Sequence, residues 1–169
     1  ELYSSVPDQN ILDVFKVKYD YHNAKTVLKA EAMGVDPDPL MVDTGRVPPQ
    51  ELLERVRSAD LRGLPPILQA AIGEAREVLG TTGDPQLADF VLDRAYFQDM
   101  FHLAQESGSA FLEGYVRIQI DSANLRAAVR TLRMGRDTDF LRQAGHLGDA
   151  AGIVGHGAVG VGSQGDAQG

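Results

Sequence analysis

One stretch of the chain has a similar counterpart further along. VFKVKYDYHNAKTVLKAEAMG, residues 14–34, returns without a gap about 101 residues later within GYVRIQIDSANLRAAVRTLRMG, residues 114–135. In that frame Asp20 falls on Asp121, Asn23 on Asn124, Lys25 on Arg126, Lys29 on Arg130, Met33 on Met134 and Gly34 on Gly135. Acid, amide, base and helix stop keep their order, so the chain is built from two related units, each with one long helix, a D-x-x-N step and a basic second half. A fold with that repeat must place the same helix in two settings.

The punctuation around the repeat fixes the remaining elements. All eight prolines lie between Pro7 and Pro85, and nine of the 18 glycines lie between Gly145 and Gly169. Pro7 with Asp8 opens a helix running to Met33, and Gly34, Pro37 and Pro39 end it. Pro48–Pro49 and Pro65–Pro66 each open a shorter helix, the first with Leu52, Leu53 and Val56 on its apolar stripe, the second with Ile67, Leu68, Ala71, Ile72 and Leu79. The two are expected as a hairpin-like array. Thr81, Thr82, Gly83 and Asp84 read as a turn before a helix from Pro85 to Glu106, where Tyr96, Phe97, Met100 and Phe101 are core candidates. Ser107 and Gly108 break it, and a proline-free helix from Ser109 to Met134, about 39 Å long at 1.5 Å per residue, stops at Gly135. No segment alternates with period two, so the expected class is all-α, an antiparallel helical bundle of repeated units. The boundaries are a first helical unit over 1–106, the start of a second over 107–144, and a Gly-rich tail over 145–169.

Composition removes several functions. A net charge of −8 lacks the footprint of a general nucleic-acid binder, and the absence of cysteine excludes disulfides, thiolate metal sites and cysteine nucleophiles. No window approaches the roughly 20 apolar residues of a membrane span. The opening Glu1, in place of Met, reads as a processed start or a piece of a longer protein. The histidines His22, His102, His146 and His156 never fall four apart, so they form no helical zinc pair. Asp89, Asp93 and Arg94 read as a helix face with local ion pairs. GHGAVG at 155–160 satisfies the glycine spacing of a dinucleotide loop, but VGSQGDAQG follows it where a helix and a distant acid are needed, and the tract reads as a low-complexity tail. There is no G-x-S-x-G elbow and no phosphate-binding loop. No catalytic, cofactor or metal residue is assigned.

The repeated residues are the candidates that remain. Asp20 and Asn23 share a helical row beside Val14, Val17, Ala24 and Leu28, at the edge of the apolar face. There an acid and an amide hydrogen-bond a neighbouring helix or its terminus, since burial without partners is costly; catalysis, which needs a further nucleophile or metal, is the minority reading. Lys18, His22, Lys25 and Lys29 lie on one stripe, and Arg126, Arg130 and Arg133 repeat it. Two readings stand for these stripes: a docking surface for an acidic partner, or solvated helix faces.

KVKYDYHNAKTVLKAEAMG, DRAYFQDMF and YVRIQIDSANLRAAVRTLRMG together resemble the C-type subunit of prokaryotic V-type (A/V-type) ATPases, which is related to the d-type subunit of the eukaryotic V-ATPase. The signature is [KR]-Y-D-x-x-N-x-K-x-x-[LI]-K at Lys18 to Lys29, D-x-x-[YF]-F at Asp93 to Phe97, and I-D-x-x-N-L-[RK]-x-x-x-R at Ile120 to Arg130, over about residues 7 to 144. The resemblance implies a funnel of three similar helical domains, of which this chain would form part. It implies a non-catalytic rotor connector, seated on the cytoplasmic mouth of the membrane proteolipid ring, that receives the central stalk and passes torque for ATP-coupled H⁺ or Na⁺ transport. It requires no cofactor of the connector itself. Under it Lys18, Lys25, Lys29, Arg126 and Arg130 are expected to face partners, and Asp20, Asn23, Asp121 and Asn124 to be polar joints holding helix pairs in register. A soluble helical-repeat adaptor with partners unrelated to membranes is the alternative. The chain departs from the family in length and in its Gly-rich end.

Overall fold

The computed structural model describes residues 9–134; the expected start at Pro7, the stop at Gly135, the histidines at 146 and 156 and the Gly-rich tail lie outside them. Within them the chain forms α1 (Gln9–Met33), a 3-10 turn (Asp38–Leu40), α2 (Pro49–Ser58), α3 (Pro66–Thr82), α4 (Pro85–Glu106) and α5 (Ala110–Met134). Among the described residues there is no strand.

Each boundary has a local cause. Pro49, Pro66 and Pro85 occupy the first helical positions, where a missing N–H costs nothing and φ is already set. Asp84 adds a side-chain cap to α4, accepting from the Gln86 N–H at 2.9 Å. Gly34 and Gly83 turn left-handed after α1 and α3, with φ of 67° and 65°. Local sequence puts Thr81 and Thr82 in the turn, whereas α3 runs through both. Their hydroxyls donate back to the Glu77 carbonyl at 2.9 Å and the Val78 carbonyl at 2.7 Å, so the last turn is held by its own side chains.

Tertiary packing departs from the expected hairpin of α2 and α3. Instead α3 and α4 form the antiparallel pair, α1 lies antiparallel along α4, and α2 rests on α1. The core they enclose has Val17, Val27, Leu52, Val56, Leu68, Ile72 and Leu92 at its centre, all essentially sealed from solvent. Met100 and Phe101 join this core, while Tyr96 and Phe97 pack at its margin. From the far end of α4 the chain reverses at Gly108, with φ of 68°, and α5 runs back along the outside of α4. There α5 buries Leu112, Val116 and Ile120, and Tyr115 meets Phe15 of α1 with ring centroids 5.9 Å apart.

Candidate functional site

The strongest chemistry in the fold is a buried cluster where α1, α4 and the 34–48 connection meet. Asp20 of α1 is fully buried and accepts from Arg46 Nε at 2.6 Å and from the Val47 N–H at 3.0 Å. The rest of the Arg46 guanidinium forks onto Asp99 of α4, with Nη2 donating to Oδ2 at 2.6 Å and Nη1 to Oδ1 at 3.2 Å. Tyr21 donates its hydroxyl to the same Asp99 oxygen, Oδ2, at 3.0 Å. One cation thus sits between two buried carboxylates, and a phenol satisfies a remaining lone pair.

Electrostatics follow from that geometry. Burial pushes the Asp20 carboxyl above its ordinary range, with Arg46 and the Val47 N–H pulling against it. Burial alone would weaken the Arg46 charge, but the bonds to Asp99 and Asp20 outweigh it and hold the guanidinium above its ordinary value. Burial first, then the Asp99 charge, pushes the Tyr21 phenol far up, so it remains a donor. Asp20, Arg46, Asp99 and Tyr21 thus bond one another and tie α1, α4 and the connection together.

Three residues along, Asn23 completes it. Its Nδ2 donates to the Val42 carbonyl and its Oδ1 accepts the Val42 N–H, both at 2.8 Å, so one amide clamps one peptide unit of the connection. Gly45 lies directly over Asp20: a Cβ there would collide with Oδ1 and stand 3.2 Å from Cγ. Gly45→Ala is therefore expected to destabilise the chain by about 1–3 kcal/mol, measured as the midpoint of urea unfolding; an unchanged midpoint would mean that the connection can ride away from α1 at no cost.

Sequence spacing sets Asp20 and Asn23 against a neighbouring helix or its terminus. In the structure their direct partners, Val42, Arg46 and Val47, all lie in the connection, and α4 is reached only through Arg46. Arg46, Asp99 and Tyr21 escape the sequence reading. Asp99 does carry a signal, since it interrupts the row Ala95, Asp99, Leu103 at helical spacing, and a carboxylate in an apolar row demands a buried partner. Arg46 lies in a connection with no periodicity to expose it.

The second D-x-x-N step differs. Asp121 is exposed, and among the described residues it makes no hydrogen bond or ion pair. Asn124 is half-buried, with its Oδ1 closed off from solvent and lacking a partner.

The basic stripes divide as well. Lys25 pairs with Asp93 and Lys29 with Asp89 at 2.8 Å, so α1 spends both charges on α4. Arg94, beside them, pairs with Glu74 of α3 at 2.8 Å. Lys18 is exposed, with its ammonium 5.7 Å from the Tyr19 ring centroid. Arg126 and Arg130 are exposed and without an ion pair among the described residues. His102 is exposed on α4, its Nε2 3.2 Å from a Glu106 oxygen. Among the described residues no group of three His, Cys, Asp or Glu side chains could hold a metal.

Comparison with known proteins gives this arrangement a context. The family model described as ATP synthase (C/AC39) subunit matches residues 1–147. The C-type subunit of the V-type sodium ATPase of Enterococcus hirae is 25% identical over 140 residues, which cover 83% of this chain and 43% of that protein. The chain thus spans less than half the length of the curated relative it matches. No solved structure matches it.

Proposed function

The chain belongs to the ATP synthase (C/AC39) subunit family, and from that premise we propose that it is a non-catalytic connector in the rotor of a V-type rotary ATPase. In that role it links the central stalk to the membrane proteolipid ring and passes torque between them during ATP-coupled transport of H⁺ or Na⁺. It works from the cytoplasmic face as a peripheral component. The observation that carries this reading is the family match across 1–147, which takes in both copies of the repeat.

The structure suits a torque-bearing spacer. Its strongest polar groups, Asp20, Arg46, Asp99 and Asn23, lock α1, α4 and the 34–48 connection to one another. A joint of that kind transmits force without sliding, because each carboxylate would have to leave its cation in a low-dielectric interior before the helices could shift. No helix among the described residues is long and apolar enough to cross a membrane, consistent with attachment through partners.

Partner contact falls to the basic residues in unequal measure. Lys18, Arg126 and Arg130 are exposed and without an ion pair among the described residues, while Lys25 and Lys29 reach a partner only as members of their pairs with Asp93 and Asp89. The variant Lys18→Glu, Arg126→Glu, Arg130→Glu is expected to bind purified central-stalk proteins or proteolipid ring roughly tenfold more weakly at low salt, with its circular dichroism unchanged. Binding of the parent chain to neither component would overturn the connector reading and favour the adaptor. Binding that ignores the triple reversal would remove these three residues from the interface.

A further inference from the structure

Two carboxylates and one cation are sealed together where α1, α4 and the 34–48 connection meet. Asp20 is 0% and Asp99 3% exposed, and among the described residues Arg46 is the only cation bonded to either. With both acids ionised the cluster holds a surplus negative charge away from water, an arrangement that favours uptake of one proton. The two acids are not equivalent as its holder. Asp99 receives Nη1 and Nη2 of Arg46 and the Tyr21 hydroxyl, three donors that suit an anion. Asp20 receives one guanidinium nitrogen, Nε, and the Val47 N–H, and a neutral carboxyl keeps an oxygen able to accept that N–H. Burial, opposed by Arg46 and the Val47 N–H, pushes the Asp20 carboxyl up.

Among the described residues no neighbouring element supplies the missing positive charge. On α1, Lys25 and Lys29 pair with Asp93 and Asp89, while Lys16, Lys18 and His22 bond neither acid. His22 instead places its Nε2 3.2 Å from the Leu40 carbonyl. On α4, Arg94 is held by Glu74, and Tyr96 meets Tyr21 with ring centroids 5.8 Å apart. None of the charged residues of α2, Glu51, Glu54, Arg55 and Arg57, is buried. From α3, Arg76 turns to the Val56 carbonyl and Glu31, and from α5, Arg117 lies over the Phe101 ring. Besides Arg46, the connection carries only acids, Asp36, Asp38 and Asp43, all exposed.

The part that can give is the connection. The helices α1 and α4 are held by the apolar core, whereas the connection, apart from Val47 and Met41 against that core, is joined to α1 by polar bonds from Asp20, His22 and Asn23. We propose that the joint is a pH-sensitive latch: a proton on Asp20 keeps the connection closed on α1, and its loss, which leaves two buried anions on one guanidinium, releases Arg46 and Val47 toward solvent. The folded chain then binds this proton more tightly than the unfolded chain does. The stability it adds is full below the ordinary carboxylate value and is lost as pH rises through the higher value of the folded joint. The inference rests on the geometry of the cluster and stands apart from the rotor assignment.

The test is urea unfolding of the full chain in steps from about pH 4 to about pH 8, beside Asp20→Asn, a permanently neutral stand-in. Both carry His22→Gln, so that the imidazole facing Leu40 takes no part. Relative to the variant, the folding constant of the parent is expected to fall as pH rises, by up to about tenfold per pH unit, the slope of one proton. A flat difference would overturn the proposal, as would one that moves in the parent's favour, because the anion would then be the form the fold prefers. Carbon-13 NMR of the parent needs no variant: the Asp20 carboxyl carbon should titrate above the ordinary carboxylate range, and titration of Asp99 in its place would overturn the assignment. Hydrogen exchange reads the latch itself. Protection of the Val42 and Val47 amides, corrected for intrinsic rates, should fall with rising pH in the parent and stay level in Asp20→Asn, with a weaker dependence on urea than that of Leu92, as a local opening has. Protection that stays level in the parent while Asp20 titrates, or that follows Leu92 in its urea dependence, would leave a proton without a latch and overturn the proposal.

Discussion

Arg46→Met is expected to lower the unfolding free energy by about 3–5 kcal/mol, the range for removing one member of a buried ion cluster. The reason lies in what is left behind. Asp20 is sealed from solvent and Asp99 nearly so, and with Arg46 gone neither carboxylate has a cation. The Val47 N–H and the Tyr21 hydroxyl each still donate one bond, which offsets only part of the cost of two buried anions a few ångströms apart. In thermal unfolding the loss should appear as a midpoint lower by on the order of 10 °C. The damage is electrostatic, so Arg46→Met combined with Asp20→Asn and Asp99→Asn should recover much of it. Asp20→Asn alone should be milder than Arg46→Met, since burial already disfavours the Asp20 charge and an amide oxygen can still accept the Val47 N–H. A loss below about 1 kcal/mol for Arg46→Met, typical of surface pairs, would show that the connection opens and lets water reach the carboxylates.

The second large effect is an asymmetry between two asparagines that occupy the same place in the repeat. Asn23→Ala removes both bonds to the Val42 peptide unit and leaves its N–H and C=O without partners against the bundle, a cost of about 2–4 kcal/mol. Asn124→Ala removes a side chain whose Oδ1 bonds nothing, so a change under about 0.5 kcal/mol is expected, and the variant could gain slightly. The two variants should be unfolded in urea side by side on the isolated chain. Equal losses would mean that Asn124 has a partner in solution that the described residues do not contain, and equal indifference would mean that the Asn23 clamp is replaced by water at no cost.

Both predictions turn on how much of this molecule is legible before its fold is known. Asp20 and Asn23 stand out because their row coincides with Val17, Ala24 and Leu28, and periodicity alone puts that row indoors. Their partners do not stand out. Val42, Arg46 and Val47 lie in an irregular connection, where no period relates position to burial, and the placement of such a segment is decided by where the helices it joins have packed. The basic stripes show the same division. Lys25 and Arg126 are equivalent in sequence, but Lys25 is paired and Arg126 has no ion pair among the described residues, because only α1 has α4 beside that face.

What the sequence determined by itself was the set of helices, the proline-marked starts of α2, α3 and α4, and the repeat. Proline at the first helical position, glycine past the last and apolar spacing near 3.6 act within a turn or two of chain, so they are fully present in the order of residues. What only the tertiary structure decided was which face of each long helix is inside. The α1 and α5 sequences offer two apolar sides apiece, and local propensity does not rank them. Packing does: α4 covers the Val17 side of α1 and the Val116 side of α5, and so Asp20 becomes the centre of a buried joint while Asp121 stays in water. That choice is made by contacts between residues about 70 or more apart, Lys25 with Asp93 and Tyr21 with Asp99 among them, which no local pattern encodes.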